Sequence, residues 1–335
     1  MSRIVAGWSL IALTTLATAA VSAAGCGDDS TGTTSTSGGS TASSSGSTSG
    51  SGGSGGGSGG STSSVTSSTS GSSGTGGSAL MAVTIPFQGR VGKTPFTCQG
   101  TYPGLGTAAT DIALSDFRLY IHDVKLHQKG GSDVPVELTQ DGLWQYKSLA
   151  LLDFEDKTGP CANGTTEMSS MLHAMVPQGT YDGISFKLGV PFDLNHADAS
   201  TAPSPLNLSA LFWDWNGGYK FLRADSAPAA GGAPFLLHRG STACQGSFAD
   251  GGISGCDRPN VADVVLTGFD PAKSKIVVDY AAVVAGSDLS KNAGGAPGCM
   301  SGPTDPECDA IFQRLGLSVK DTSTHPDQQK LFSVE

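Results

Sequence analysis

Asp116-Phe117-Arg118-Leu119-Tyr120-Ile121-His122-Asp123-Val124-Lys125-Leu126-His127 alternates apolar and polar residues and then changes phase. Phe117, Leu119 and Ile121 are apolar at odd positions, whereas Val124 and Leu126 are apolar at even ones. A period of two marks a half-buried strand, because successive side chains point to opposite faces of a sheet. One apolar face survives the phase change only if an extra residue is inserted, so the pattern predicts a β-bulge near His122 or Asp123. With the bulge, Tyr120, His122, Lys125 and His127 share the face turned away from the core. Without it, His122 and His127 point apart.

Outward from this segment, Gly183-Ile184-Ser185-Phe186-Lys187-Leu188-Gly189-Val190 keeps the same period, with Ile184, Phe186, Leu188 and Val190 on one face. Val83, Ile85 and Phe87 alternate likewise, and Pro86 among them predicts an edge strand, since proline brings no N–H to a ladder. Val264-Val265-Leu266 and Ile276-Val277-Val278 read as short buried strands between Gly, Pro, Asn and Asp clusters. One helix is well specified: Asp305 caps it, Pro306 fits its first turn and Gly316 stops it, with Ile311, Phe312 and Leu315 on one face. A shorter helix is expected from Met168 to Met175. The chain is therefore expected to be mainly β, a β-sandwich-like single domain (a sandwich or barrel) with a few short helices.

The N-terminus has another character. Arg3 precedes the apolar run Ile4 to Val21, and Ser22-Ala23-Ala24-Gly25 places small residues before Cys26. This predicts a signal peptide over residues 1–25 and a lipidated Cys26, with an ordinary secretory cut near Ala24 as the alternative. Position 23 is Ala where a lipobox usually carries Leu. From Ser30 to Ser78 every residue is Ser, Gly or Thr except Ala42 and Val65. Such a segment buries too little apolar surface to offset its ordering entropy, so residues 26–80 are expected to be a disordered tether and residues 81–335 the folded domain. The expected location is the periplasm or cell surface, with a lipid anchor in the outer membrane.

The net charge is −10, and all charged residues but Arg3, Asp28 and Asp29 lie beyond residue 80. An acidic domain argues against nucleic-acid partners and against an electrostatic grip on anionic membranes, leaving the lipid as the only membrane contact. It suits cation capture or a basic protein partner, although solubility explains it equally well. Seven cysteines are present, and assigning Cys26 to the lipid leaves an even set of six in an oxidising compartment. Local closure favours Cys244–Cys256 and Cys299–Cys308, which leaves Cys98–Cys161 as the long bridge. No CxxC or CxxCH occurs, so thiol-redox and covalent-haem motifs are missing.

No GxSxG elbow, HExxH, EF-hand loop, P-loop or dinucleotide fingerprint is present, and no carboxylate pair stands out, so no enzyme is indicated. The scarce resource is histidine: His122, His127, His173, His196, His238 and His325. Neutral imidazole is a common ligand for copper and zinc, while an isolated histidine is more often a surface or hydrogen-bonded residue. His173 lies among Met168, Met171 and Met175, a soft-metal set whose i, i+3, i+7 spacing is also ordinary helix-core spacing and is read as core first. His196 follows a strand through Pro191, and His238 ends the apolar Phe235-Leu236-Leu237, so both are placed at a sheet rim. Between them, Phe212-Trp213-Asp214-Trp215-Asn216-Gly217-Gly218-Tyr219-Lys220-Phe221 is dense in aromatics. These rings either plug one end of the core or form a binding face or a redox-active indole.

Pro95-Phe96-Thr97-Cys98, Asp116-Phe117-Arg118-Leu119-Tyr120, Leu151-Leu152-Asp153-Phe154-Glu155-Asp156 and Gly189-Val190-Pro191-Phe192 resemble MbnP-family proteins. Leu194-Asn195-His196, Pro205-Leu206-Asn207-Leu208, Trp213-Asp214-Trp215 and Gly298-Cys299-Met300-Ser301-Gly302 match the same pattern, that of metallo-mystery pair proteins with four-Cys and WxW motifs. The resemblance covers nearly all of residues 82–335 and leaves the tether outside. It implies a copper-binding protein made alongside a di-haem, MauG-like cytochrome c peroxidase, which oxidises a tryptophan to a copper-holding kynurenine. Carried over by motif, His196 and His238 are the preferred ligands and His122 the next. Trp213 and Trp215 carry the WxW, and Trp144 in Asp141-Gly142-Leu143-Trp144-Gln145 is the other candidate for modification. Arg239 stands where the pattern expects an aliphatic residue, and a cation beside His238 would weaken a metal site there. Two readings compete with copper: a glycan- or protein-binding β-sandwich using Trp213, Trp215 and Tyr219, and a hydrolase using the Asp and His residues.

Overall fold

The computed structural model describes residues 79–247 and 251–335. The signal peptide, Cys26 and the tether up to Ser78 lie outside the described residues. The strands that place the site are β1 (Leu80–Val91), β2 (Arg118–Gln128), β3 (Leu149–Asp153), β4 (Met171–Pro177), β5 (Tyr181–Leu188), β6 (Phe212–Asp214), β7 (Gly218–Tyr219), β8 (Leu222–Pro228), β9 (Phe235–Arg239), β10 (Thr242–Ser247), β11 (Gly252–Arg258), β12 (Ala262–Thr267), β13 (Ile276–Asp279), β14 (Gly298–Cys299) and β15 (Phe332–Val334). The helices are α1 (Phe192–Asn195), α2 (Tyr280–Val284) and α3 (Cys308–Arg314).

The larger sheet runs β12-β5-β2-β8-β9-β14, with β3 on the other side of β2, and the smaller runs β15-β13-β1-β4. They pack as a β-sandwich-like domain around one main core. In it Ile85 and Phe87 of β1 and Ile276 and Val278 of β13 join Leu119, Ile121, Ile184, Phe186 and Leu188 of the large sheet. Phe186 meets Phe87 and Phe332 edge-on, at centroid distances of 6.0 and 5.0 Å. The predicted bulge is present. Ser185 pairs with Lys125 and Lys187 with His122, so β2 carries the extra residue, and Asp123 takes a positive φ of 53°.

Two faces of β2 and β3 are buried, because a second cluster covers the side away from the small sheet. Tyr120, Leu149 and Leu151 are packed there under Val190, Leu194, Leu206, Leu211, Tyr219 and Phe221. The covering residues come from the connection between β5 and β8, which also carries α1 and the β6–β7 hairpin. Bridges Cys98–Cys161, Cys244–Cys256 and Cys299–Cys308 form as local closure predicts.

Three local expectations change. Met168 to Met175 does not form a helix: Met171–Pro177 is β4, paired with β1 from Pro86↔Met171 to Leu80↔Pro177. Leu172, Ala174 and Val176 are buried at period two, and that signal outweighs the methionine spacing. Met168 and Met171 are consequently about half exposed rather than core. The strand β1 is interior rather than an edge. Pro86 falls where β1 hands over from β4 to β13, so the missing N–H sits at a change of partner. Helix α3 begins at Cys308, later than a cap at Asp305 requires; Asp305 instead accepts the backbone N–H groups of Met300 and Glu307. Gly316, at φ 71°, follows the end of that helix as predicted.

Candidate metal centre

The outer face of the large sheet begins as a row of charges. Register places Asp153 opposite Arg118, Arg118 opposite Arg223, and Arg223 opposite His238, one residue from each of β3, β2, β8 and β9. Period two turns all four away from the main core, since Leu119, Leu152, Leu222 and Leu237 beside them face inward. Asp116 and Asp225 knit the row together. The Arg118 guanidinium donates to both oxygens of Asp116 and lies 3.5 Å from Glu155. Arg223 Nε lies 3.1 Å from Asp116 and donates to Asp225 at 2.8 Å. Asp225 in turn contacts His238 Nε2 at 2.7 Å.

Opposite charges alternate along this chain because an isolated buried charge is expensive, whereas an alternating set satisfies itself. Acid still outnumbers base around Arg118. Burial pushes Asp153 up to about 8, and it raises Asp116 and Glu155 as well, against the pull of Arg118. At the other end the balance reverses. Burial acts to raise Asp225, but the hydrogen bond and charge of His238 and the charge of Arg223 outweigh it and hold that carboxyl below its usual range.

His238 is therefore oriented by a carboxylate on Nε2, the arrangement that fixes an imidazole so that its other nitrogen can serve a metal. Its backbone is fixed too. Ser301 Oγ donates to the His238 carbonyl and accepts from Gly240 N–H, both at 3.1 Å. Ser301 is delivered by β14, which pairs in parallel with Leu236 and Leu237 and is tied to α3 through Cys299–Cys308. The Trp213 ring stands edge-on to His238 at 6.2 Å, and a Cβ at Gly240 would lie 2.5 Å from the Tyr219 carbonyl and 3.3 Å from that indole, so the close approach of β7 requires the glycine.

His196 occupies the other side of the WxW hairpin. Asn195 Oδ1 accepts the Tyr219 N–H at 2.8 Å, which leaves the Asn195 amide nitrogen to donate to the Gly217 carbonyl and to His196 Nε2 at 3.0 Å. Nε2 must then hold the lone pair and Nδ1 the hydrogen. Nδ1 is buried without a hydrogen-bond partner. Burial also lowers the pKa of His196, so the ring is neutral. The Cys256 sulfur lies 3.4 Å from Nε2, and the Phe192 ring packs tilted against the imidazole at a centroid distance of 4.8 Å. A cavity of about 270 Å³ joins His196 to Phe212 and Trp215, the latter 51% exposed.

The structure thus brings His238 to Trp213 and His196 to Trp215. His122 stands apart from both on β2. Its ring is buried at the bulge, with Nδ1 3.1 Å from Asp123 and with Lys187 and Asp263 as its other charged neighbours; burial lowers its pKa. His127 shares the outer face as the bulge predicts, but it is occupied by Asp133 at 3.4 Å. Trp144 packs against the second cluster beside Tyr146. A larger cavity of about 500 Å³, lined by Asp123, Lys187 and Asp263, contains none of the histidines. Arg239 does not face His238: strand alternation turns it to the other side, where it donates to the carbonyls of Asn260 and Leu188. Burial without a counter-charge lowers its pKa to about 9.

Sequence reasoning missed Asp225 and Ser301. Arg223-Ala224-Asp225 does show charge alternating with apolar residues, the sign of a strand with a polar buried face, but nothing local shows that the face is covered.

Fold and site together define a disulfide-braced β-sandwich that presents carboxylate- and amide-held histidines on either side of a Trp-x-Trp hairpin. The MbnP family model matches residues 81–301, and the chain belongs to the MbnP family. Among solved structures, MbnP from Methylosinus trichosporium is similar, at 30% identity and a TM-score of 0.68, covering 76% of this chain and 98% of that one. No curated protein matches the sequence.

Proposed function

We propose that this chain is an exported copper-binding lipoprotein, not an enzyme, matured by a di-haem MauG-like peroxidase that oxidises a tryptophan to kynurenine. The observation that carries the reading is the pair of imidazoles flanking the WxW: His238 locked by Asp225 on Nε2, and His196, whose Nε2 lone pair would exchange its hydrogen bond from Asn195 for the metal. Two imidazoles are a donor set that suits copper. His196 and His238 would hold the metal, and the kynurenine amine and ketone would add donors within the former indole frame. Trp213 is the preferred target, since it stands against His238; Trp215 and Trp144 follow. His122 follows as the third ligand candidate, its two ring nitrogens buried without a hydrogen-bond partner. The anchor at Cys26 and the tether keep the domain within reach of a membrane-side partner.

Titration of the disulfide-intact protein with copper should show submicromolar binding (about −8 kcal/mol or better) that His196→Ala and His238→Ala each weaken. Mass spectrometry after exposure to the peroxidase should show oxidation at Trp213. A folded protein that takes up no copper would overturn the reading and favour the glycan- or protein-binding module, for which the exposure of Trp215 and of Phe192 (48%) speaks.

A further inference from the structure

We infer that Cys244, Cys256 and His196 form a second, thiol-gated metal site, closed while the disulfide is intact and opened when a thiol or phosphine reductant cleaves it. The three donor atoms already lie within 4.8 Å of one another. Two thiolates and one imidazole with an open fourth position make a soft donor set suited to Zn(II), Cd(II) or Cu(I).

Four features single out this bridge. Cys98, Cys161, Cys299 and Cys308 are buried to 2% exposure or less, whereas Cys244 and Cys256 are partly exposed and border the His196 cavity through Gly252 and Ile253. Access governs which disulfide exchanges first. Next, the cysteines face each other directly across the β10–β11 hairpin, whose ladder continues on both sides at Thr242↔Arg258 and Gln245↔Gly255. Reduction therefore leaves both sulfurs held in place by backbone pairing. Third, His196 Nε2, which carries the ring's lone pair, lies 3.4 Å from the Cys256 sulfur, and a metal bound there would replace the hydrogen bond that Nε2 accepts from Asn195. Finally, Nδ1 on the far side of that ring has no partner to rotate toward.

The chemistry balances simply. Two electrons from two external thiols break the S–S bond, giving two cysteine thiols and one external disulfide. With a phosphine, the phosphorus is oxidised and takes its oxygen from water. Binding of a divalent cation then releases the two thiol protons, and His196, already neutral, releases none. The site shares His196 with the copper reading but requires neither His238 nor a modified tryptophan.

The test uses the full mature chain under mild phosphine treatment, with alkylation mapping to identify the opened bridge and Cd(II) alone as the probe. Cys244 and Cys256 should be alkylated first, and Cd(II) should then produce a thiolate charge-transfer band that the oxidised protein lacks. His196→Ala should weaken Cd(II) binding about tenfold or more, and Cys244→Ser with Cys256→Ser should abolish it. That double variant keeps the other two bridges, its folding is checked by circular dichroism, and it should retain copper binding through His196 and His238. Opening of another bridge first, no band after reduction, or equal Cd(II) affinity in His196→Ala would each overturn the site. Loss of copper binding in the oxidised wild type bears only on the proposed function.

Discussion

The two faces of the large sheet are buried to the same depth by opposite means. On the inner face Leu119, Ile121, Ile184, Leu222 and Leu237 meet the small sheet, and shape alone decides how well they pack. On the outer face Arg118, Asp153 and Asp225 are just as dry, at 1%, 0% and 4% exposure, yet they are held by polar partners: Arg118 and Asp225 by ion pairs, Asp153 by hydrogen bonds from the Glu155 N–H and Thr165. Inner positions tolerate a change of size at graded cost, whereas an outer position that loses its partner leaves an uncompensated ion. The largest expected effect follows from that difference. Arg118→Met removes the one cation shared by Asp116, Asp153 and Glu155 and should destabilise the fold by about 3–5 kcal/mol, read as a lowered urea midpoint. A loss below about 1 kcal/mol would show that the outer face is not organised by this pairing.

Asp225→Asn tests the other end of the row. It keeps the size of the side chain and removes the charge that orients His238, so copper affinity should fall about 10–100-fold while most of the fold survives. Competition against a copper chelator measures it. Unchanged affinity would place the metal away from His238.

The same contrast explains what was legible in the sequence. Leu119, Ile121, Val124 and Leu126 report the inner face through their period, including the bulge at Asp123, because apolar burial leaves a repeating trace. The outer face leaves no such trace. Arg118, Arg223 and Asp225 read as solvent residues until the connection between β5 and β8 is folded over them, and that covering is a long-range fact. His196 and His238 were found by motif. Of their partners, Asn195 is the neighbouring residue of the same motif, Asp225 depends on the register of β8 against β9, and Ser301 arrives from 63 residues away, which no local spacing encodes. Met168 to Met175 failed for a related reason: two periodicities coexist there, and only pairing with β1 chooses between them.

A smaller effect separates the two ends of the charged row by pH. Asp153 keeps its proton in the folded state up to about 8, against 3.8 for an ordinary aspartate, so its contribution is fully present below about pH 4 and is lost as pH rises toward 8. Asp225 has the opposite sign, its carboxyl being held low by His238 and Arg223 despite burial, so its contribution is lost as pH falls. Asp153→Asn should therefore flatten the decline in stability between about pH 5 and pH 8 while leaving the acid limb intact. Urea midpoints across that range provide the measurement; an unchanged slope would mean that Asp153 ionises in the folded protein near its ordinary value.

The smallest change addresses whether the faces are independent at all. Ile184 is fully buried on the inner face, opposite Leu126 and Leu266 in register, and its side chain points away from the row that ends at His238. Ile184→Val deletes one methylene and should cost about 0.5–1.5 kcal/mol of stability through lost packing. Because the backbone of β5 stays paired on both sides, the substitution has no route to the imidazoles except through a shift of the whole sheet, which close packing resists. Copper affinity and the product of peroxidase treatment should both match the wild type. A weakening of copper binding of more than about tenfold would amount to more than the packing loss itself. That result would show that the inner core sets the spacing of the metal ligands, and that the sheet acts as one elastic body rather than as two separately maintained surfaces.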